Sequence, residues 1–318
     1  MGSEKSSIAF ASARQADARI AGVAAAARAV KARADEGALA IALRIGDGAP
    51  PAPATIADIE RLRGQAEVTI ERGDGPALPL PSAWEIVRAT GKPGDGLVSR
   101  WLNRPISQRL TLVMLAVPGA RPIHVTIANA ALALVMFAVT LGGGEAGLVL
   151  GGILFQTASV LDGVDGEMAR ATFRASKRGA TLDSAVDIAT NLLFVTALTI
   201  HLGLRDRDII FWVGAWAVTL SIVGGMLIAR QVRAGGGPLG FDLLKRSGRI
   251  GGIVDLVYWT VQTLTSRDCF AFLYMALIIA GLERTALWIY AGVGTIWLPY
   301  VIASVLLPRP GPGFRNAA

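Results

Sequence analysis

Four aspartates stand close together in the middle of an otherwise apolar sequence. Asp162 and Asp165 are three residues apart, and Asp183 and Asp187 are four residues apart. On helices, each spacing places both carboxylates of a pair on one face. An ionised carboxylate inside a membrane segment is costly unless a cation, a partner or water accompanies it. These aspartates are therefore candidates for a functional site.

Two such pairs form an all-oxygen site if their helices face each other. Hard oxygen ligands suit Mg²⁺ or Mn²⁺, and four carboxylates carry the charge for two ions. Gly163, Gly166 and Gly179 lie beside the carboxylates, where the absence of a side chain lets a ligand approach the backbone closely. At this point two alternatives stay open, a structural network of ion pairs and a proton path in an ion-coupled transporter.

The composition and the apolar stretches predict that membrane segments carry these aspartates. Of the 318 residues, 53% are hydrophobic and only 17% are charged, whereas soluble domains have about 25% charged residues. Apolar stretches close to the length of about 20 residues that spans a bilayer predict six helices. They lie at about residues 125–142, 146–172, 179–203, 208–231, 267–282 and 285–307. We therefore expect an all-α polytopic membrane protein, with 250–265 as an interfacial helix or the first turns of the fifth span.

Two regions precede the spans. Residues 92–115 mix charged residues with Leu, Val, Ile and one Trp, a pattern typical of an amphipathic helix at the membrane surface. Residues 1–17 are expected to be a disordered leader. Residues 18–71 show patterns in the order helix, strand, helix, strand, which predict a small cytoplasmic α/β domain. A Pro- and Gly-rich linker follows at 73–81. We therefore divide the chain into an appendage, residues 1–91, and a membrane domain, residues 92–318.

The appendage contains no Gly-rich phosphate loop and no motif that names a ligand. We interpret it as a folded appendage or interaction module, the alternative being the remnant of a nucleotide-handling domain. Deletion up to about Pro81 is expected to leave the chemistry of the membrane domain intact.

The charge distribution predicts an orientation. Residues 1–91 hold 11 basic and 11 acidic residues, so the net charge of +7 belongs to residues 92–318. If the N-terminus is cytoplasmic, most basic residues near the spans lie inside, and only Arg205, Arg207 and Arg284 lie outside. This predicts a protein of the cytoplasmic membrane with both termini and the site at the cytoplasmic side. The cations serve topology and lipid headgroups, so no nucleic-acid partner is expected.

The stretch from Asp162 to Asp187 resembles the signature of the CDP-alcohol phosphotransferases, D-x-x-D-G-x-x-A-R-x8-G-x3-D-x3-D. All eight fixed positions match, namely Asp162, Asp165, Gly166, Ala169, Arg170, Gly179, Asp183 and Asp187. Chance agreement at so many spaced positions is negligible, which makes the transporter alternative remote. The resemblance covers about residues 92–307 and implies six spanning helices with the site at the cytoplasmic side.

The resemblance also implies a reaction, the transfer of a phospho-alcohol group from a CDP-alcohol to an acceptor hydroxyl with release of CMP. The implied ligands of two Mg²⁺ or Mn²⁺ ions are Asp162, Asp165, Asp183 and Asp187. The implied cytidine- and pyrophosphate-binding residues are Gly166, Ala169, Arg170 and Gly179. Asp187 is in addition the implied general base, which takes the proton of the acceptor hydroxyl.

A second, weaker resemblance concerns the donor. Residues 92–107 and the pair Arg267-Asp268 are similar to the di-myo-inositol-phosphate-phosphate synthase branch, whose donor is CDP-inositol. We therefore expect CDP-inositol or a similar CDP-polyol as donor. The alternative is a phospholipid synthase that uses CDP-diacylglycerol.

The acceptor is expected to be a polar or phosphorylated alcohol or a lipid. The basic residues that either bind it or only set topology are Lys245, Arg246, Arg249 and Arg267. The family commonly has Pro-Asn shortly before Thr126, where this chain has Pro122-Ile123-His124. His124 is therefore a candidate to replace an Asn contact to the nucleotide. The sequence leaves open whether the protein is a homodimer.

Overall fold

The structure is a computed structural model and describes residues 6–73, 79–92, 95–235 and 267–306. Its contacts divide the chain into two compact units. The first unit comprises the residues up to Lys92 together with 108–120 and 166–174. The second comprises 93–107, 121–165 and the chain from Ala175 onward. The predicted division at residue 91 stays a prediction. The segments 108–120 and 166–174 belong to the same compact unit as the N-terminal residues.

The first unit contains a small α/β domain built on a parallel sheet. Its elements are β1 (Ser6–Phe10), α1 (Ala13–Asp17), β2 (Arg19–Ile20), β3 (Val23–Ala24), α2 (Ala25–Asp35), β4 (Ala40–Ile45), α3 (Pro53–Leu62), β5 (Glu67–Arg72) and α4 (Ala83–Arg88). The sheet order is β1-β4-β5, and both pairings are parallel. Four alanines and Val30 on α2 are buried against the sheet, and their small size lets the helix approach closely. The predicted N-terminal α/β region is thus confirmed.

The predicted disordered leader is wrong for residues 6–17. Ser6–Phe10 forms β1, which pairs with β4 from Ser6 opposite Ile41 to Phe10 opposite Ile45. Ile8 and Phe10 are 2% and 1% exposed. Burial of two large apolar side chains and a complete strand ladder order this segment despite its polar, Ala-rich surroundings.

The rest of the described chain is helical. A π-helical turn (Ser99–Asn103) is followed by α5 (Arg104–Ala116), α6 (Pro122–Gly142), α7 (Gly144–Ala171), α8 (Lys177–Asp206), α9 (Ile210–Gly235), α10 (Arg267–Ile279) and α11 (Glu283–Leu306). By length and composition, α6, α7, α8 and Ile210–Leu227 of α9 could cross a membrane. The helical membrane architecture is confirmed. The count of six spans stays a prediction, and the candidate interfacial helix at 250–265 lies outside the described residues.

The segment from the π-helical turn through α5 exposes several apolar side chains and buries several polar ones. Trp101 and Val113 are 77% and 63% exposed, whereas Asn103, Ser107 and Thr111 are buried. This is the reverse of a helix on a water-soluble protein, and it suits contact with lipid. The prediction of an interfacial helix here is consistent with that pattern.

Ion pairs gather at the C-terminal end of α8. Arg205 donates to Glu145 and Glu283, each at 2.8 Å, and Arg284 donates to Asp206 at 2.5 Å. Two of the three cations predicted to lie outside are thereby neutralised by acidic partners. The predicted site residues of α8 stand near its other end, about 30 Å away along the helix axis.

Candidate functional site

The two helices that carry the aspartates are joined by a short turn, and a side chain caps the second of them. Ser176 precedes α8 in an extended conformation, and its hydroxyl accepts the backbone N–H of Gly179 at 3.0 Å. Such an N-cap fixes where a helix begins. Asp183 and Asp187 both lie within α8, and their spacing of four residues places them one turn apart on a single face.

Three of the four motif carboxylates come together. Asp162 on α7 and Asp183 and Asp187 on α8 each offer one carboxylate oxygen, and these oxygens all lie within 4.8 Å of one another. All three side chains are half-buried. Like charges so close together repel one another, and a divalent cation between them would remove that repulsion. The donor set consists of hard oxygens, which fits Mg²⁺ or Mn²⁺.

The fourth carboxylate is held by a residue on a third helix. Asp165 is 5% exposed, and its Oδ2 accepts a hydrogen bond from the hydroxyl of Thr126 at 2.5 Å. Thr126 lies in the second turn of α6. From the sequence, Thr126 was only a landmark for the position of the family's Pro-Asn pair. Its contact with Asp165 depends on how α6 packs against α7, which spacing along the chain does not reveal.

Replacing Thr126 with Val is expected to weaken metal binding, because Asp165 loses the hydrogen bond that orients it. Loss of such an orienting partner costs about 10- to 100-fold in metal affinity. The measurement is the Mn²⁺ concentration that gives half-maximal activity. Thr126→Ser keeps the hydroxyl and should remain near wild type.

The control for this prediction is Thr140→Val. Thr140 lies on the same helix, and its hydroxyl donates to the carbonyl of Met136 at 2.7 Å, so this variant loses a hydroxyl of α6 away from the aspartates. An unchanged metal requirement in Thr126→Val would contradict the orienting role of Thr126.

The predicted cytidine- and pyrophosphate-binding residues continue along α7. Gly166 follows Asp165 directly, and a side-chain carbon at position 166 would lie 3.1 Å from Nη1 of Arg170. Nε of Arg170 donates to the carbonyl of Thr90 at 2.8 Å. Glycine thus leaves room for this guanidinium. Gly166, Ala169, Arg170 and Gly179 stay predicted ligands of the nucleotide.

An arginine that no sequence motif indicated lies close to Gly163, the neighbour of Asp162. A side-chain carbon at Gly163, next to Asp162, would lie 3.3 Å from Nη1 of Arg104 and 3.1 Å from Oγ of Ser107. Asp95 orients this arginine by accepting from its Nε at 2.7 Å and from its Nη2 at 2.9 Å. Glycine at position 163 thus leaves room for this guanidinium and for the hydroxyl of Ser107. In the sequence, Arg104 is an ordinary basic residue at the start of a helix, a few residues after an acidic one. Such a pattern is too common to have indicated that Arg104 lies close to Gly163.

The two segments that carry the weaker resemblance meet in the structure. Oδ2 of Asp268, on α10, accepts the backbone N–H of Ser99 at 2.6 Å. A side-chain carbon at Gly96 would lie 2.7 Å from the same carboxylate. The two segments that resemble the same family branch are far apart in the chain but are thus in contact in the structure.

Most of the predicted acceptor-binding residues lie outside the described residues. Lys245, Arg246 and Arg249 lie outside the described residues, and Arg267 begins α10 with a side chain that is not described. His124 stands in the first turn of α6, where its Nδ1 accepts the backbone N–H of Arg121 at 3.4 Å. Its role toward a nucleotide stays a prediction.

Comparison with known families decides the classification. Residues 120–296, more than half of the chain, match the family model of the CDP-alcohol phosphatidyltransferases. The chain belongs to the CDP-alcohol phosphatidyltransferase family. The match includes the helices that carry the four aspartates and Thr126, and it confirms the resemblance read from the eight-position motif.

Individual members of the family are similar over shorter stretches. "Bifunctional IPC transferase and DIPP synthase" of Aquifex aeolicus is 40% identical over 122 residues, which are 38% of this chain and 27% of that protein. The protein of the same name from Thermococcus kodakarensis is 45% identical over 94 residues, 30% of this chain and 20% of that protein. "Archaetidylinositol phosphate synthase" of Pyrococcus horikoshii is 33% identical over 108 residues, 32% of this chain and 52% of that protein. Each match thus spans about half or less of the relative.

Proposed function

We propose that the protein transfers a phospho-alcohol group from a CDP-alcohol to the hydroxyl of an acceptor and releases CMP. The observation that carries this proposal is the cluster of Asp162, Asp183 and Asp187, whose oxygens lie within 4.8 Å of one another. Membership of the CDP-alcohol phosphatidyltransferase family supports the same reaction.

The carboxylates would hold two divalent cations, Mg²⁺ or Mn²⁺. Asp162, Asp183 and Asp187 form the group, and Asp165 on the same face of α7 supplies the fourth carboxylate. Bound there, such ions neutralise the pyrophosphate of the donor and stabilise the departing CMP.

The chain's own residues bind the donor and move a proton. Asp187 accepts the proton of the acceptor hydroxyl, and that oxygen forms a bond to the phosphorus that bears the donor alcohol. The bond from this phosphorus to the oxygen of the CMP phosphate breaks, and CMP leaves with the electron pair. Gly166, Ala169 and Gly179 leave space for the cytidine, and the guanidinium of Arg170 pairs with the pyrophosphate.

The donor that we propose is a CDP-polyol such as CDP-inositol. Support comes from the similarity of residues 92–107 and of Arg267-Asp268 to the di-myo-inositol-phosphate-phosphate synthase branch. Ser99 and Asp268, which belong to these two segments, are in contact. The names of the relatives from Aquifex aeolicus and Thermococcus kodakarensis, which include a DIPP synthase, point to the same branch. Lys245, Arg246, Arg249 and Arg267 are proposed to bind a phosphorylated acceptor.

The donor class is tested with a panel of CDP-alcohols. Purified protein with Mg²⁺ and membrane lipids, as a source of acceptor hydroxyls, is expected to release CMP faster from CDP-inositol than from CDP-diacylglycerol. The measurement is CMP release at equal donor concentration, with free inositol phosphate added in parallel as a soluble acceptor. Turnover of CDP-diacylglycerol alone would overturn the polyol assignment and leave the reaction type in place.

That second outcome corresponds to a phospholipid synthase. The similarity to the Pyrococcus horikoshii protein named archaetidylinositol phosphate synthase favours it, since the match covers about half of that protein. In either case we propose that six spans and the interfacial helix hold the site at the cytoplasmic face. The excess of cations near the predicted inner ends of the spans supports this sidedness.

A further inference from the structure

The C-terminal end of α7 has an unusual residue in its cap. The backbone N–H of Phe173 donates to the carbonyl of Arg170 at 3.2 Å, and that of Arg174 donates to the carbonyl of Ala169 at 2.8 Å. These are the paired hydrogen bonds of a Schellman motif, whose left-handed position is usually Gly. Here that position holds Phe173, with φ of 54°. A bulky residue in this conformation is strained, so surrounding contacts must hold it.

An arginine of the α/β domain binds this end of α7. Nη2 of Arg28, on α2, donates to the carbonyls of Ala171 at 2.6 Å and Ala21 at 2.9 Å, while its Nε donates to that of Ile20 at 2.8 Å. Burial lowers the pKa of the Arg28 guanidinium to about 10, and the charge of Asp58 opposes that shift. The side chain therefore stays positively charged at neutral pH. A cation at this position interacts favourably with the negative end of the helix dipole.

A second arginine and an aromatic contact complete the arrangement. Nη1 of Arg61, on α3, donates to the carbonyls of Thr172 at 3.2 Å and Phe173 at 3.3 Å. The ring of Phe173 lies 5.3 Å from Cζ of Arg28 and 5.7 Å from Nζ of Lys31, which are cation–π distances. Three consecutive carbonyl groups at the end of the helix thus receive hydrogen bonds from two arginines of the α/β domain, where a helix itself supplies no donors.

We propose that the α/β domain positions the carboxylate helix α7, with Arg28 and Arg61 as positioning residues for the metal centre. The anchored end of α7 lies less than two helical turns beyond Asp165 on the same helix. An unanchored end frays, and the turn into α8 then varies. The aspartates of the two helices would spend less time in the arrangement that binds a cation. The consequence for catalysis rests on the proposed function, whereas the anchoring does not.

With this anchoring role, the N-terminal residues are not dispensable, contrary to the expectation from the sequence. That expectation followed from the absence of a phosphate-binding or catalytic motif in residues 1–91. The contacts of Arg28 and Arg61 with the end of α7 give these residues a role that needs no such motif. Deletion up to Pro81 removes both arginines and is now expected to impair the metal centre.

The anchoring is tested by limited proteolysis of the full chain in detergent micelles. Trypsin cleaves after Arg174, which is exposed and follows the cap. Loss of hydrogen bonds from a charged donor should raise the cleavage rate at this bond about tenfold or more in Arg28→Ala and in Arg61→Ala. The matched control is Arg33→Ala. Arg33 lies on the same helix as Arg28, and its ion pair among the described residues is a local one, with Glu36 at 2.8 Å. Cleavage no faster than in the control would overturn the anchoring.

The positioning of the metal centre has a readout of its own. Mn²⁺ binding, followed by the electron paramagnetic resonance of the free ion, should weaken about tenfold in Arg28→Ala, and Arg28→Lys should restore part of it because the charge is kept. Thermal unfolding of each variant separates this effect from general destabilisation. If Arg28→Ala does not fold, the Mn²⁺ affinity of Arg61→Ala tests the positioning role instead, because Arg61 is more exposed. Faster cleavage with unchanged Mn²⁺ affinity would overturn the positioning role, whether or not the wild type releases CMP.

Discussion

Turnover is expected to fall by a factor of about 10² to 10⁴ when Asp187 is replaced by Asn, because a general base contributes that much to rate. The amide keeps the size of the carboxylate but cannot accept the proton of the acceptor hydroxyl. Asp162 and Asp183 remain, so some affinity for the CDP-alcohol should persist. The measurements are kcat for CMP formation and the Kd of the donor, determined separately.

The control for Asp187→Asn is Glu145→Gln, which also exchanges an acid for an amide. Glu145 opens α7 at the end opposite its aspartates, and its side chain is 70% exposed. It should turn over at the wild-type rate. If Asp187→Asn matched this control, the assignment of the base would be wrong.

Asp183→Ala is expected to abolish both metal binding and CMP formation. Asp183 is one of the three carboxylates whose oxygens lie within 4.8 Å of one another. Loss of a residue that only orients a metal ligand costs about 10- to 100-fold in affinity, so loss of a direct ligand should exceed 100-fold. The measurements are the Kd for Mn²⁺ and the rate of CMP release. If Asp183→Ala kept its affinity for Mn²⁺, the cation would have ligands other than Asp183.

The clustering of three aspartates could be predicted because it depends on local geometry. Spacings of three and four residues place side chains on one face of any helix, and a short turn makes successive helices neighbours. The partner of Asp165 could not be predicted in this way. Thr126 reaches it from another helix, 39 positions away in the chain, and a hydroxyl in an apolar helix is an ordinary feature.

The contacts of the α/β domain with the end of α7 could not be predicted from the sequence for a similar reason. Arg28 and Ala171 are separated by 143 positions. Arg28 lies in an Ala-rich helix with several Arg and Lys residues, a pattern that indicates only a solvent-exposed charged face. The strand Ser6–Phe10 was missed because it is short and follows a polar start. Its order comes from pairing with β4 and from the burial of Ile8 and Phe10, both tertiary effects.

The most direct test of the proposed reaction is the dependence of CMP release on a divalent cation. The purified protein is given CDP-inositol and membrane lipids, first with EDTA and then with Mg²⁺ in excess of the chelator. We expect CMP release to stop in EDTA and to return with Mg²⁺ in the wild type but not in Asp183→Ala. CMP release that continues at the full rate in EDTA, or in Asp183→Ala, would contradict a metal-dependent transfer at this aspartate cluster.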